Sequence, residues 1–138
     1  MTTDKNKQTA RRLIEAWNRH DAGVFDEIVA ADAVLRVSDP NLPRGPEGFK
    51  SRLEADIKSF PDRNFAIELE IAEGDLVMQR IHMTGTHTGP WGPRPATGKT
   101  ISVRGVVGMR FKDGKVIEAW DVFDDLGAMR QLGLYREP

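Results

Sequence analysis

The chain has 138 residues, of which 39% are hydrophobic and 30% charged, a balance typical of one water-soluble globular domain. The 20 Lys and Arg residues offset 21 Asp and Glu residues without forming a basic run, which argues against nucleic-acid or anionic-membrane partners. The absence of cysteine excludes disulfides, thiol nucleophiles and cysteine-based metal centres. We therefore expect a single cytoplasmic domain over residues 1–138, without a membrane span or secretory leader.

The first part of the chain has helical periodicity. An amphipathic helix over residues 4–18 is indicated by apolar side chains at helical spacing: Ala10, Leu13, Ile14 and Trp17. A second short helix is predicted after the candidate cap Asp21. A short strand is predicted over residues 33–38, and a third helix begins at Pro46, which suits a first helical position.

Alternation replaces helical periodicity after Pro61. A half-buried strand follows, with one predicted apolar face made of Phe65, Ile67, Leu69 and Ile71. Further strands are predicted over residues 76–88 and 116–123, with another between them and a Pro- and Gly-rich loop over residues 89–98. Helices followed by a four-strand antiparallel meander predict an α+β fold, with N-terminal helices packed on a curved, mainly antiparallel sheet.

The turn between the last two strands determines which acidic residue faces the core. A two-residue turn over residues 113–114 points Glu118 inward, with Trp120 and Asp124 on the same face. A three-residue turn over residues 112–114 turns Glu118 outward and places Asp121 opposite Gly105. We favour the three-residue turn because it keeps a glutamate out of the core.

Asp121 is then the lone acid on an otherwise apolar strand face, which it shares with Ile117, Ala119 and Phe123. Gly105 leaves space beside the carboxyl, and desolvation raises a carboxyl pKa toward the range useful for proton transfer. The alternative interpretation is structural, with Asp121 capping nearby backbone or pairing with an arginine. Asp124 and Asp125 are predicted as the N-cap and first turn of a final helix over residues 125–132.

Three segments support a more specific inference: LIEAWNRHDAGVFDEIVAADAVL from Leu13, GTHTGPWGPRPATGK from Gly85, and RFKDGKVIEAWDVFDDLGAMRQLG from Arg110. In these segments the chain resembles the SnoaL-like polyketide cyclases, also called ester cyclases. The resemblance implies the cone-shaped α+β barrel of the nuclear-transport-factor-2-like superfamily, which commonly forms dimers or higher oligomers.

The resemblance also implies a reaction. The aldol cyclases of this family close a ring in a polyketide ester without metal or cofactor, and their general acid/base aspartate falls on Asp121. Their pocket Gln and His residues fall on Gly105, Val107 and Ala119, and a pocket Asn falls on Leu35. The acid is kept while its polar neighbours are replaced, so we expect a small hydrophobic carbonyl substrate.

The histidines provide further candidates. His87 lies in the family-like GTHTG segment and is the second candidate catalytic residue, although a structural bond to the adjacent loop is equally consistent. His82 and His87 are five residues apart, so a regular strand points them to opposite faces and excludes joint metal binding. No phosphate-binding glycine motif occurs, and we expect neither a metal nor a cofactor.

The predicted substrate pocket combines helix, strand and loop residues: Trp17, Leu35, His82, Trp91, Gly105, Val107, Met109, Ala119 and Phe123. Trp91 sits in the Pro-rich loop, where it closes a pocket mouth or joins a subunit contact. Trp120 and Val122 face outward in the favoured register, which predicts a homodimer through this sheet face.

The leading hypothesis is a cofactor-free enzyme that uses Asp121 as general acid/base on a polyketide-like ester. A second hypothesis is a non-catalytic domain that binds a hydrophobic ligand or serves as a dimeric scaffold. A third is epoxide hydrolysis or a ketosteroid-isomerase-like reaction on the same fold.

Overall fold

Residues 2–37 and 39–135 are described by a computed structural model. The helices are α1 (Thr2–Arg19), α2 (Gly23–Ile28), α3 (Pro46–Ser59) and α4 (Asp125–Gln131). The strands are β1 (Val29–Arg36), β2 (Asn64–Glu73), β3 (Leu76–Thr86), β4 (Thr100–Lys112) and β5 (Lys115–Phe123). No helix in this described part of the chain is both long and apolar enough to cross a membrane.

The strands form one sheet in the order β1-β5-β4-β3-β2, with every neighbouring pair antiparallel except β1 and β5. This arrangement confirms the predicted α+β class with N-terminal helices packed on a mainly antiparallel sheet. The predicted short strand begins earlier, at Val29, and extends the four-strand meander as a fifth, parallel strand. Ser38, its predicted last residue, lies outside the described residues.

The core lies between the helices and one face of the sheet, called here the inner face. Ala10, Leu13 and Ile14 of the α1 stripe are buried as predicted and Trp17 is partly buried. Phe25 of α2 packs against Phe49 of α3 with ring centroids 5.9 Å apart. Met109 and Ala119 meet this layer from β4 and β5. Burial of each large apolar side chain stabilises the fold by about 1.5–3 kcal/mol, and this gain holds the helices on the sheet.

The face prediction for β2 is wrong beyond Ile67. A bulge between Ile67 and Leu69 shifts the register, so that Leu69 and Ile71 point outward and are 53% and 61% exposed. Glu70 points inward instead, where it accepts a hydrogen bond from Gln79 and pairs with Arg11. One extra residue in a strand reverses the facing of all later side chains, and simple alternation cannot predict it.

The turn between β4 and β5 also differs from the favoured three-residue turn. Lys112 pairs with Lys115 across a two-residue turn, in which Asp113 and Gly114 both have positive φ, 52° and 79°. Positive φ at both central positions is the requirement of a type I′ turn. A bulge at Ile117, which pairs with no residue of β4, then adds one residue to β5. The residues after the bulge therefore face as they would after a three-residue turn.

The bulge preserves the predicted facing from Glu118 onward but changes the partners. Before it, Val116 is the buried core residue and Ile117, which was predicted to face the core, is not. Ala119, Asp121 and Phe123 face inward and Glu118 faces outward, as the favoured register required. Asp121 pairs with Val107, however, and Gly105 pairs with Phe123. After β5, Asp124 caps α4 as predicted, because its side chain accepts a hydrogen bond from the Gly127 amide at 2.8 Å.

Candidate functional site

A cavity of about 240 Å³ lies between the inner face of the sheet and helices α1 and α3. Its wall is mainly apolar and draws on every layer of the fold, with side chains that include Leu13, Leu35, Phe49, Phe65, Met83, Ile101 and Val107. The polar side chains of the wall are Arg52, Asp56, Arg63, Asp121 and Asp125. Such a site suits an apolar ligand that is oriented by a few polar groups.

Asp121 reaches the cavity from β5, flanked on its own strand face by Ala119 and Phe123 and paired across the sheet with Val107. Its carboxyl accepts no hydrogen bond from the residues that the structure describes. Burial raises the pKa of this carboxyl above its ordinary value, and the guanidinium groups of Arg52 and Arg63 only partly oppose that effect. The group is therefore a stronger base when ionised than an exposed aspartate.

Asp56 of α3 is the centre of a polar cluster on the helix side of the cavity. Its carboxylate accepts a hydrogen bond from Trp17 Nε1 at 3.0 Å and pairs with Arg63 Nη1 at 2.7 Å and Arg52 Nε at 3.4 Å. The side chains of Arg63 and Asp56 are only 10% and 12% exposed. Arg63 also lies over the Phe60 ring, 4.5 Å from its centroid, and burial lowers the pKa of its guanidinium.

Seven of the predicted site residues line this cavity: Trp17, Leu35, Trp91, Val107, Ala119, Asp121 and Phe123. Trp17 does so while donating its indole N–H to Asp56, so it belongs both to the packed core and to the polar cluster. Four predicted residues are not among the lining residues: His82, His87, Gly105 and Met109.

His87 lies at a packing position, and its predicted place in the pocket is not found. Its ring is fully buried and stacked on Phe60 with centroids 5.2 Å apart. Nδ1 accepts a hydrogen bond from the Thr97 amide at 3.3 Å, which leaves the proton of the neutral ring on Nε2. Burial lowers the pKa of the ring, so the neutral form is favoured. These contacts match the alternative structural interpretation, in which His87 anchors the Pro-rich loop.

His82, Gly105 and Met109 lie outside the cavity lining for simple geometric reasons. His82 lies on the outer face of β3, where Nε2 is 2.7 Å from Ser102 Oγ. A Cβ atom on Gly105 would lie 2.3 Å from Phe123 Cδ1, so this glycine makes room for a ring rather than for a ligand. Met109 is 1% exposed and belongs to the core.

The polar cluster was not predicted from the sequence. Phe49, Arg52 and Asp56 follow one another at i, i+3 and i+7, the spacing of one helix face, and the apolar member Phe49 is buried. A charged pair continuing a buried stripe was thus a usable signal. Arg63 lies in the turn after α3, where side chains follow neither helical nor strand periodicity, so the sequence does not indicate where Arg63 points.

A family model described as SnoaL-like polyketide cyclase matches residues 7–132. The chain belongs to the SnoaL-like polyketide cyclase family. The match covers every strand and the polar cluster, and includes Asp121.

Named relatives agree with this assignment. The chain is 32% identical over 127 residues to aklanonic acid methyl ester cyclase DnrD of Streptomyces peucetius, covering 89% of this chain and 87% of the relative. It is 31% identical to aklanonic acid methyl ester cyclase DauD of Streptomyces sp. (strain C5), covering 89% and 78%. Among solved structures, TsrD from Streptomyces laurentii superposes with a TM-score of 0.86 at 26% identity, covering 96% and 97% of the two chains.

Proposed function

We propose that this SnoaL-like protein closes a ring in a hydrophobic polyketide-like ester, with Asp121 as the general acid and base. The observation that carries the proposal is the Asp121 carboxyl in an apolar cavity, without a hydrogen-bond partner among the described residues and with its pKa raised by burial. The names of the two ester cyclases that the chain resembles support the same reaction class.

The proposed reaction is an aldol ring closure. The ionised Asp121 takes a proton from the carbon next to a carbonyl group, and the C–H electron pair forms an enolate. The enolate carbon attacks a second carbonyl of the same molecule, so that a C–C bond forms and the carbonyl electrons move to its oxygen. Asp121 then returns the proton to that oxygen. Substrate and product are isomers, so the step needs no oxidant or reductant.

The cavity wall provides the remaining requirements for this reaction. Apolar side chains from the helices and the sheet exclude water and hold a folded chain so that its two carbonyl groups approach each other. We assign His87 no role in the ring closure, because its ring is buried against Phe60 and lies outside the cavity lining.

The test is turnover of aklanonic acid methyl ester, followed by chromatographic separation of substrate and cyclised isomer. Asp121→Asn keeps the shape of the side chain but cannot accept the proton, and we expect a loss of about 10²- to 10⁴-fold in kcat. Asp113→Asn is the matched control, because Asp113 is in the β4–β5 turn, where asparagine tolerates the positive φ. Turnover by Asp121→Asn at the wild-type rate would reject this proposal.

The same cavity also supports non-catalytic binding of an apolar ligand. Recovery of bound ester unchanged from the wild-type protein would favour this second function. An epoxide and an unsaturated ketosteroid belong in the same assay, because the cavity also holds the carboxyls of Asp56 and Asp125. Conversion of either compound without cyclisation would shift the assignment to that chemistry.

The outer face of the sheet supports a homodimer as the active form. Val106 and Val122 are directly paired there and are 39% and 69% exposed. Trp120 packs over Gly108 beside them, and Leu69 and Ile71 extend the apolar surface on β2. Contiguous apolar surface of this kind is typical of a subunit contact.

A further inference from the structure

The helix side of the cavity carries more positive than negative charge. Arg52 and Arg63 both line it, while Asp56 is the carboxylate that both arginines contact. Asp125 also borders the cavity, but it is exposed, so water screens its charge. When Asp121 is protonated, one guanidinium charge has no counter-charge inside the cavity.

Donors of both arginines are also unused. Arg63 Nε is buried and has no hydrogen-bond partner in the part of the chain that the structure describes. Arg52 approaches Asp56 only through Nε, at 3.4 Å, which is longer than a good hydrogen bond. Its two terminal nitrogens have no partner among residues 2–37 and 39–135. A buried donor without a partner is costly, and Arg63 Nε is such a donor, which an acceptor on a bound ligand would satisfy. Arg52 is 26% exposed and lines the same cavity.

The charge changes of the proposed reaction match this arrangement. Proton abstraction neutralises Asp121 and creates a negative oxygen on the substrate within the same cavity. The guanidinium group of Arg63 is held by Asp56 at 2.7 Å and that of Arg52 lies beside it, so both positive charges are near the oxyanion, and the apolar wall strengthens their attraction. The strand residues that line the cavity beside Asp121 are Val107 and Ala119, whose side chains carry no hydrogen-bond donor.

We propose that Arg52, supported by Arg63, is the oxyanion-binding group of this cavity, and that its substrates are carbonyl compounds that bind as enolates or similar organic anions. This inference rests on the proposed function, because the oxyanion arises from proton transfer to Asp121. It adds a substrate class, since a neutral compound that cannot enolise leaves both arginines without an acceptor.

The test compares two aromatic probes of the same shape, 1-naphthoate and 1-naphthamide, by isothermal titration calorimetry at a pH just below the folded pKa of Asp121, where its carboxyl is neutral as it is after proton abstraction. We expect the wild-type protein to bind the anion about tenfold more tightly, the worth of one charge-assisted hydrogen bond. Arg52→Gln should abolish this preference, and Arg52→Lys should retain part of it. Arg19→Gln is the control, because Arg19 is 73% exposed and, in the part of the chain that the structure describes, pairs with Glu15 on α1.

Equal binding of the two probes by the wild-type protein would overturn the proposal, as would no binding of naphthoate or an unchanged preference in Arg52→Gln. If Arg52→Gln fails to fold, the wild-type protein still decides the question by NMR. The Nε–H resonances of Arg52 and Arg63 should shift with naphthoate and remain fixed with naphthamide, and the reverse result would overturn the proposal.

The binding test is separable from the turnover test. Loss of turnover in Asp121→Asn without anion preference in the wild-type protein would leave the ring-closure proposal standing and reject the oxyanion site. Anion preference together with full turnover by Asp121→Asn would reject the ring-closure mechanism alone and leave an anion-binding cavity.

Discussion

At the scale of single residues, the burial that suits Asp121 for proton transfer also lowers the stability of the folded protein at neutral pH. Burial raises the pKa of its carboxyl in the folded protein, so the folded state binds the proton more tightly than the unfolded chain does. Stability from this group is present below its ordinary pKa of about 3.8 and is lost as pH rises through the higher folded value. At neutral pH the ionised carboxylate therefore lowers the free energy of unfolding.

We predict that Asp121→Asn is more stable than the wild-type protein at pH 7, although it is inactive in ring closure. The stability difference should shrink as pH falls through the folded pKa of Asp121, because the wild-type carboxyl then becomes neutral as well. Thermal unfolding of both proteins between pH 3.5 and pH 7 measures this. A variant less stable than wild type at pH 7 would show that Asp121 serves as a structural partner of Arg52 or Arg63.

His87 shows the opposite dependence on pH. Burial lowers the pKa of its ring below the ordinary 6.5, so its stabilising contribution is present above that pH and is lost as pH falls through the lower folded value. His87→Phe keeps the stack on Phe60 but cannot be protonated. We predict that its melting temperature changes less than that of the wild-type protein between pH 7 and pH 5. His20→Asn, at an exposed position with φ of 57°, should behave as the wild type does.

At the scale of elements, two bulges determine which side chains reach the cavity. The alternation of β5 predicted that Ala119, Asp121 and Phe123 share a face, because period-two patterning depends on burial and not on the turn. The partners were not predictable, since a two-residue turn with a bulge at Ile117 gives the same facing as a three-residue turn. In β2 the bulge sends Glu70 inward to Gln79, a contact made across the sheet that no local pattern encodes.

The β4–β5 pairing also explains why residue 105 is a glycine. A Cβ atom on Gly105 would lie 2.3 Å from Phe123 Cδ1 and 2.5 Å from the Val122 carbonyl oxygen. We predict that Gly105→Ala lowers the free energy of unfolding by about 1–3 kcal/mol, the usual cost of overpacking. Gly23→Ala is the control, because its nearest contact would be Asp21 at 3.7 Å. Urea denaturation measures both, and equal stability of the two variants would contradict the register.

At the scale of the whole molecule, the sheet separates two functional surfaces. Its inner face and the helices enclose the cavity, whose wall comes from parts of the chain as distant as Leu13 and Ala128. The family resemblance correctly implied this architecture, and amphipathic patterns correctly predicted most of the core. The Arg52–Asp56 pair is local to α3. The addition of Arg63 and the facing of this cluster into the cavity were not predicted, because both are set only when α3 and the following turn pack over the sheet.

The outer face supports a prediction about assembly. We expect the wild-type protein to have twice the mass of the 15.4 kDa chain in size-exclusion chromatography with light scattering. Val122→Lys places a charge beside Trp120 and the exposed Val106 on the outer face and should give monomers. Leu126→Lys is the control, since Leu126 lies on α4 and is 47% exposed. A monomeric wild-type protein, or a dimer that tolerates Val122→Lys, would contradict a contact through this face.

The central claim is that the Asp121 carboxyl is a desolvated proton-transfer group inside the cavity. The most direct measurement is its pKa, from a carboxyl-carbon NMR titration in which Asp121→Asn identifies the resonance. We predict a midpoint clearly above the ordinary value of about 3.8, because desolvation by burial is the largest influence on this group. A midpoint at or below 3.8 would mean that solvent or the arginines stabilise the carboxylate, and would contradict Asp121 as the general base of this cavity.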